Sequence, residues 1–263
     1  MITELIKNKV YYKIFDRSYK NLTHSDNIHD FDDQIEKDRV KNNIGKVLSD
    51  FDTKNILLLN QVHGNNVVCT EELDIKLNNW PEGDASVSTQ QNMILAIRTA
   101  DCVPLLFASS DGSVIGAAHC GWRSAKLDIV AKLAHKMRHK GARDIVAVIG
   151  PAIAQESYEV SKDFYEDFVA DSSSYKTLFL PSIKTNHYLF DLPSFVKIKL
   201  ARENIRIIKH INENTYMMPT KYPSYRRSTH TGEIHNQNIL SAITRVNHKL
   251  CVNSIFYFPI NHI

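Results

Sequence analysis

Residues 93–120 read MILAIRTADCVPLLFASSDGSVIGAAHC, and this stretch decides the class of fold. Three short apolar runs, 93–97, 103–107 and 114–118, follow one another across polar punctuation, as strands do. Between the last two, Ser109-Ser110-Asp111-Gly112 supplies turn formers with a glycine at its end, which predicts a hairpin. Working outward, 56–59 and 67–69 upstream and 144–149 and 205–208 downstream have the same character and are read as strands.

The clearest helix is predicted over 124–140, where Leu127, Val130, Leu133, Ala134 and Met137 recur at three- and four-residue steps. Gly141 then stops it as a left-handed cap. A polar stretch, 18–47, is read as a loop with a helix over 33–48. Further helices are expected to start near Ser161 and near Pro193-Ser194, and another fits 236–250. Strands and helices interleave without a strict βαβ rhythm, so the expectation is an α/β (α+β) fold with a mixed sheet, not a doubly wound parallel one. With no internal repeat or low-complexity linker, the 263 residues are read as one domain.

Composition excludes several classes. An apolar fraction of 43% and a charged fraction of 23% are those of an ordinary soluble protein. A net charge of +3 sets up no strong field toward nucleic acid, and no apolar run approaches a membrane span. The N-terminus lacks the apolar core of a secretory signal. A cytoplasmic location with free thiols is therefore expected for Cys69, Cys102, Cys120 and Cys251, of which Cys69 and Cys251 read as buried small hydrophobes. Most of the 12 histidines, such as His135, His139, His230 and His235, lie in polar stretches and read as solvated surface.

Three residues stand apart from that background. His63, Cys102 and His119 fall at the ends of predicted strands, where a rigid sheet can hold side chains open to a cleft. Two imidazoles and a thiolate are a borderline-soft donor set that suits zinc and leaves a fourth position open. Their spacing forms no paired-ligand knuckle, so only the fold can bring them together. On the residues alone, two satisfied structural histidines and a core cysteine remain the alternative. Asp101 beside Cys102 would raise the pKa of a free thiol, yet it could orient a ligand or a water, or sit simply as a turn residue. Arg123, after Gly121-Trp122 at a helix start, is a candidate anion ligand. Gly83-Asp84-Ala85 and Ser224-Tyr225-Arg226-Arg227 are two weaker polar clusters.

In order, the chain carries Gln61-Val62-His63-Gly64, Gly83-Asp84-Ala85-Ser86-Val87, Thr99-Ala100-Asp101-Cys102-Val103-Pro104, Ala118-His119-Cys120-Gly121-Trp122-Arg123, Ile149-Gly150-Pro151-Ala152-Ile153 and Ser224-Tyr225-Arg226-Arg227. Together these resemble the laccase-domain or multicopper polyphenol oxidase family, also called the YfiH or peptidoglycan-editing-factor family, over about residues 12–240. The resemblance implies one α/β domain with mixed sheets layered between helices, and His63, Cys102 and His119 as zinc ligands. It implies zinc-dependent phosphorolysis of adenosine, inosine and methylthioadenosine, and deamination of adenosine, hence a transferase or hydrolase whose partners are a purine nucleoside and phosphate. Asp101 as proton shuttle and Arg123 or Arg226 as anion clamp are then the expected roles, with Asp101 and Arg123 as catalytic groups and Gln61, Asp84 and Arg226 toward substrate. One His-His-Cys trio falls short of the ligand set of a blue copper centre plus a copper cluster, which makes copper the poorer expectation.

The chain also departs from the family pattern. Cys120 stands where alanine is usual and would be a competing ligand. Arg17-Ser18-Tyr19-Lys20-Asn21 replaces a glycine-rich loop, Asn214-Thr215 replaces Cys-Thr, and Thr231-Gly232-Glu233 replaces Thr-Gly-Arg. Residues 243–263 read as a C-terminal extension. Two rival functions accompany the leading one. The first is an amidase editing peptidoglycan precursors, through the same zinc or through Cys102 as nucleophile. The second is a non-catalytic metal or nucleoside binder.

Overall fold

The computed structural model describes residues 2–19, 34–73, 80–233 and 237–247. Two mixed sheets face each other. The first has five strands in the order β1-β2-β14-β6-β3, from β1 (Thr3–Ile6), β2 (Val10–Phe15), β3 (Asn55–Leu57), β6 (Met93–Thr99) and β14 (Ile239–Arg245). The second has six in the order β13-β9-β7-β8-β5-β4, from β4 (Val67–Cys69), β5 (Ala85–Ser88), β7 (Val103–Ser109), β8 (Ile115–Cys120), β9 (Ile145–Ile149) and β13 (Arg206–His210). A small third sheet joins β10 (Glu159–Ser161), β11 (Phe179–Pro181) and β12 (His187–Phe190).

The two-residue period of a strand explains the layering. On β7, Leu106 and Ala108 meet Leu95, Ile97 and Ile243 of the first sheet in one core cluster, while Leu105 and Phe107 face the opposite way. That opposite face is covered by α3 (Ile129–His139) and α5 (Leu192–Arg202), through Val130, Leu133, Met137, Phe195 and Leu200. The outer face of the first sheet, including Ile94 and Ala96, packs under α1 (Gln34–Asp50) through Val40, Ile44 and Val47. The result is helix, sheet, sheet, helix, as expected of mixed sheets layered between helices. Strands buried on both faces explain why β6, β7 and β9 read as continuous apolar runs. Among the described residues, no helix is long and apolar enough to cross a membrane.

The 109–112 hairpin forms as expected. Asp111 closes it by accepting from the Ser109 hydroxyl (2.6 Å), Ser113 N (3.0 Å) and the Ser113 hydroxyl (2.8 Å), bonds that hold its carboxyl at about 2. Gly141 takes the left-handed conformation, with φ 100°. α4 (Lys162–Asp171) starts after Ser161, which accepts from Phe164 N, and α5 starts after Asp191 with Pro193 in its first turn.

Two expectations fail. The described part of the segment 236–250, residues 237–247, is not a helix. Residues 239–245 are β14, a central strand paired antiparallel to both β2 and β6. Its run ILSAITR is apolar on both faces because both faces are buried, and periodicity alone cannot separate such a strand from a buried helix. The strand runs on to Arg245. Cys251 and residues 248–263 lie outside the described residues, as do residues 20–33 of the loop placed over 18–47. The helix over 124–140 is in fact two, α2 (Trp122–Lys126) and α3, broken where Asp128 adopts φ 60°. The break turns Leu127 out of the stripe to 46% exposure and frees its carbonyl to accept from Asn65 Nδ2 at 2.7 Å. The loop after His63 is thereby tied to the helix pair.

Candidate metal centre

The three donors meet where the second sheet ends. Cys102 immediately precedes β7, and His119 is the penultimate residue of β8, with its cross-strand partner Pro104 one residue into β7. His63 arrives on the loop after β3, in a left-handed conformation with φ 57°. Cys102 Sγ lies 3.9 Å from His63 Nε2, the His63 and His119 rings are 4.6 Å apart edge to face, and all three ligand atoms lie within 4.8 Å of one another. Among the described residues this is the group of three or more such donors close enough to share an ion.

Asp84 holds two of the three. Fully buried just before β5, it accepts from the backbone N–H of Val62 (3.2 Å), His63 (3.0 Å) and Gly64 (2.7 Å), fixing the loop that carries His63. It also meets His119 Nδ1 at 2.7 Å. That bond places the proton on Nδ1 and leaves Nε2 as the ligand atom, the arrangement that orients metal-binding imidazoles. Burial pushes the Asp84 carboxyl up, but His119 and the loop amides outweigh it and hold it below the ordinary range. Asp84 thus supports the donors and does not line the cleft.

The electrostatics suit a cation. Burial would keep the Cys102 thiol protonated, yet His119 and His63 bring it down to about 7. Burial would likewise empty His119 of its second proton, yet Cys102 and Asp84 raise it to about 9. Each group thus favours the charged form of the other, and a bound cation would stabilise the Cys102 thiolate in place of the proton. A four-coordinate ion with bonds of about 2.0–2.3 Å needs its donors roughly 3.3–3.7 Å apart, so a contraction on the order of 1 Å closes the set. Gly121 makes room for it. A Cβ there would stand 2.9 Å from His63 Cδ2 and 3.0 Å from Cys102 Sγ, closer than real Cβ contacts come. These residues fit a bound metal.

Cys120 does not join them. Strand alternation sends it to the opposite face of β8 from His119, into the helix-side core, where burial drives its thiol far above the usual range. Cys69, Cys102 and Cys120 are all free thiols, and Cys69 is buried as expected.

Above the trio opens a cleft of about 510 Å³, within the size range of small-molecule sites. One wall is apolar and aromatic, with Trp122, Ile153, Tyr158 and Leu192; Arg98 and Arg226 bring positive charge. The Arg226 guanidinium lies 4.9 Å from the Tyr158 ring centre and donates to the Glu159 carbonyl at 2.6 Å. Arg98 packs over Trp80 and donates to the Leu59 carbonyl at 3.0 Å.

The remaining expected site residues are placed as follows. Gln61 lines the cleft, but its amide is engaged at both ends with the backbone of Arg98, donating to O at 2.8 Å and accepting from N at 2.9 Å. It therefore docks the His63 loop onto β6. Asp101 also lines the cleft, with both carboxylate oxygens occupied by Thr215, Ser224 and the backbone of Arg226. Arg123 is exposed and does not line the cleft, because the first turn of α2 points it outward. Tyr158, Arg98, Thr215 and Asn238 escaped the sequence reading. Only Thr215 carried a signal, as part of the Asn214-Thr215 pair that stands where the resembled family has Cys-Thr.

A family model described as multi-copper polyphenol oxidoreductase laccase matches residues 15–240. A Rickettsia conorii protein named purine nucleoside phosphorylase is 47% identical over 239 residues, covering 91% of this chain and 98% of its own. A Rickettsia prowazekii protein of the same name is 44% identical over the same shares. Among solved structures, a Neisseria meningitidis protein of the DUF152 family superposes with a TM-score of 0.76 at 25% identity, covering 94% of this chain and 98% of that one. A Bacillus licheniformis protein titled YfiH has the same TM-score at 22% identity, over 92% and 98%, a likeness of fold. The chain belongs to the multi-copper polyphenol oxidoreductase laccase family.

Proposed function

We propose that this chain is a zinc-dependent purine nucleoside enzyme that cleaves adenosine, inosine and methylthioadenosine with phosphate and deaminates adenosine in the same cleft. The observation that carries the reading is the His63-Cys102-His119 trio on the floor of a cleft with an aromatic wall and two arginines. The names of the Rickettsia relatives support the substrate class. A His₂Cys donor set with an open position favours zinc, and a bound zinc ion supplies Lewis-acid polarisation to substrate oxygen or water.

The chain's own residues do the rest. Tyr158 and Trp122 offer aromatic surface to the flat purine. Arg226 and Arg98 place positive charge for the phosphate, whose oxygen bonds to the ribose C1′ as the bond to the base breaks and its electron pair leaves with the base. In deamination, water adds at C6 and ammonia departs. Trp122, Ile153 and Leu192 limit water on the apolar side, which strengthens the charge interactions inside.

The test is release of free base from inosine, with and without phosphate, by wild type and His119→Ala. Phosphate-dependent release that the substitution abolishes together with bound zinc supports the reading; unchanged turnover and zinc content would sink it. The Cys102 thiol at about 7 between two imidazoles also keeps alive an amidase using Cys102 as nucleophile on a peptidoglycan precursor. Turnover of a muramyl peptide that survives chelation and dies on thiol alkylation would favour that enzyme instead.

A further inference from the structure

Asp101 stands next to Cys102 in sequence, yet its carboxylate serves another part of the molecule. The residue is buried and held at φ 87°, a left-handed conformation that side chains rarely adopt. Its carbonyl accepts from Ile153 N at 2.9 Å, which pins that turn to the loop after β9. One carboxylate oxygen accepts from the Thr215 hydroxyl at 2.6 Å. The other accepts from the Ser224 hydroxyl at 2.9 Å and from the backbone N–H of Arg226 at 2.7 Å. That N–H is one of the orphan donors in the first turn of α6 (Tyr225–Thr231). Ser224 caps the same helix from within, its hydroxyl accepting from Arg227 N at 3.1 Å. Asp101 is thus a second cap, delivered to α6 from 125 residues away in sequence.

We propose that Asp101 is a positioning residue, not a proton carrier: it fixes the distance between the metal trio and Arg226, and so sets how tightly the cleft holds a phosphate. This rests on the nucleoside–phosphate reading of the cleft. Arg226 is gripped at two points, its backbone by Asp101 and its side chain by the Glu159 carbonyl and the face of Tyr158. The backbone bond is the one that ties it to the strand end bearing Cys102. With three donors already on its two oxygens, Asp101 is engaged as a fixed acceptor. Asparagine at 101 would turn an NH₂ toward one set of those donors and release that side of the clamp.

The test is a double-mutant cycle in the zinc-loaded protein, with Asp101→Asn, Arg226→Ala and the pair, reading phosphate KM, kcat, the pH profile and zinc content. The proposal expects Asp101→Asn to raise the phosphate KM about tenfold, with kcat changed less than about threefold and zinc content and pH profile unchanged. In the Arg226→Ala background the same substitution should change KM less than about twofold, because the group it positions is gone. Additive effects would overturn the proposal. So would a collapse of kcat with loss of one limb of the pH profile, the mark of a proton carrier. Should Asp101→Asn fail to fold, Thr215→Val and Ser224→Ala each remove a single donor and are expected to raise the phosphate KM by a smaller step that again vanishes without Arg226. If wild type shows no phosphorolysis, the functional reading fails by itself, and calorimetric titration of inorganic phosphate into the same variants decides the positioning role.

Discussion

The floor of the cleft and its wall are built by different means. The floor rests on paired strand ends: Pro104 and His119 are cross-strand partners, and Asp84, just before β5, binds both His119 and the His63 loop. The wall comes from Tyr158, Leu192 and Arg226, far apart in sequence; Arg226 is tied to the floor through Asp101 and packs over the Tyr158 ring. A sheet end is rigid because each strand is held by its neighbours. A seven-residue helix held by caps is easier to displace. On the proposed function, metal binding would depend on a few residues of the sheet, and substrate choice on a network that can change without dismantling the trio.

The comparison is broken most severely at Asp84. Asp84→Ala leaves three backbone N–H groups and His119 Nδ1 without their acceptor, at about 1–3 kcal/mol for each unsatisfied group. The expected result is a loss of zinc affinity by about 100-fold, with a lowered melting temperature, measured by competition with a chromophoric chelator and by calorimetry. Retained affinity would mean that the floor does not depend on this carboxylate.

A second test uses pH. The thiolate is the reacting form of cysteine, and Cys102 sits at about 7 in the metal-free protein against 9.0 ordinarily, so alkylation should rise with pH and reach half its maximum near pH 7. At that pH about half of Cys102 is thiolate, against ~1% of an ordinary thiol, so peptide mapping should find it modified tens of times faster. Zinc should protect it. A midpoint near 9 would remove His119 and His63 as its neighbours in solution.

Gly121→Ala sharpens the floor without deleting a donor. Its methyl group would meet His63 and Cys102 at 2.9 and 3.0 Å, forcing the trio apart. Zinc affinity is expected to fall about tenfold while the circular dichroism of the fold is kept. The smallest effect is expected at Arg123, which is exposed and outside the cleft. Arg123→Ala should alter zinc affinity and the phosphate KM by less than about twofold, within the range of ordinary surface substitutions. A tenfold effect would bring Arg123 back as an anion ligand.

The same contrast explains what could be read from the sequence. His63, Cys102 and His119 were legible because their residue types carry metal chemistry and because strand ends are marked by local apolar runs. Asp84 was noticed, but its task was not, since supporting an imidazole leaves no trace in local spacing. Arg98 and Tyr158 were missed for a different reason: each lies in an ordinary strand or loop, and only tertiary packing brings it to the cleft. β14 was read as a helix because its pairing partners β2 and β6 are 140 or more residues away in register, and burial on both faces erased the alternation that marks a strand. Cys120 looked like a rival ligand beside His119. Strand geometry turns it to the far side of the sheet, which one position in a period of two is enough to do.

The central claim is that the trio holds one zinc ion. Elemental mass spectrometry of untagged protein, purified without chelators, should find about one zinc per chain in wild type and essentially none in Cys102→Ala. Copper in place of zinc, no metal in wild type, or equal zinc in both proteins would contradict it.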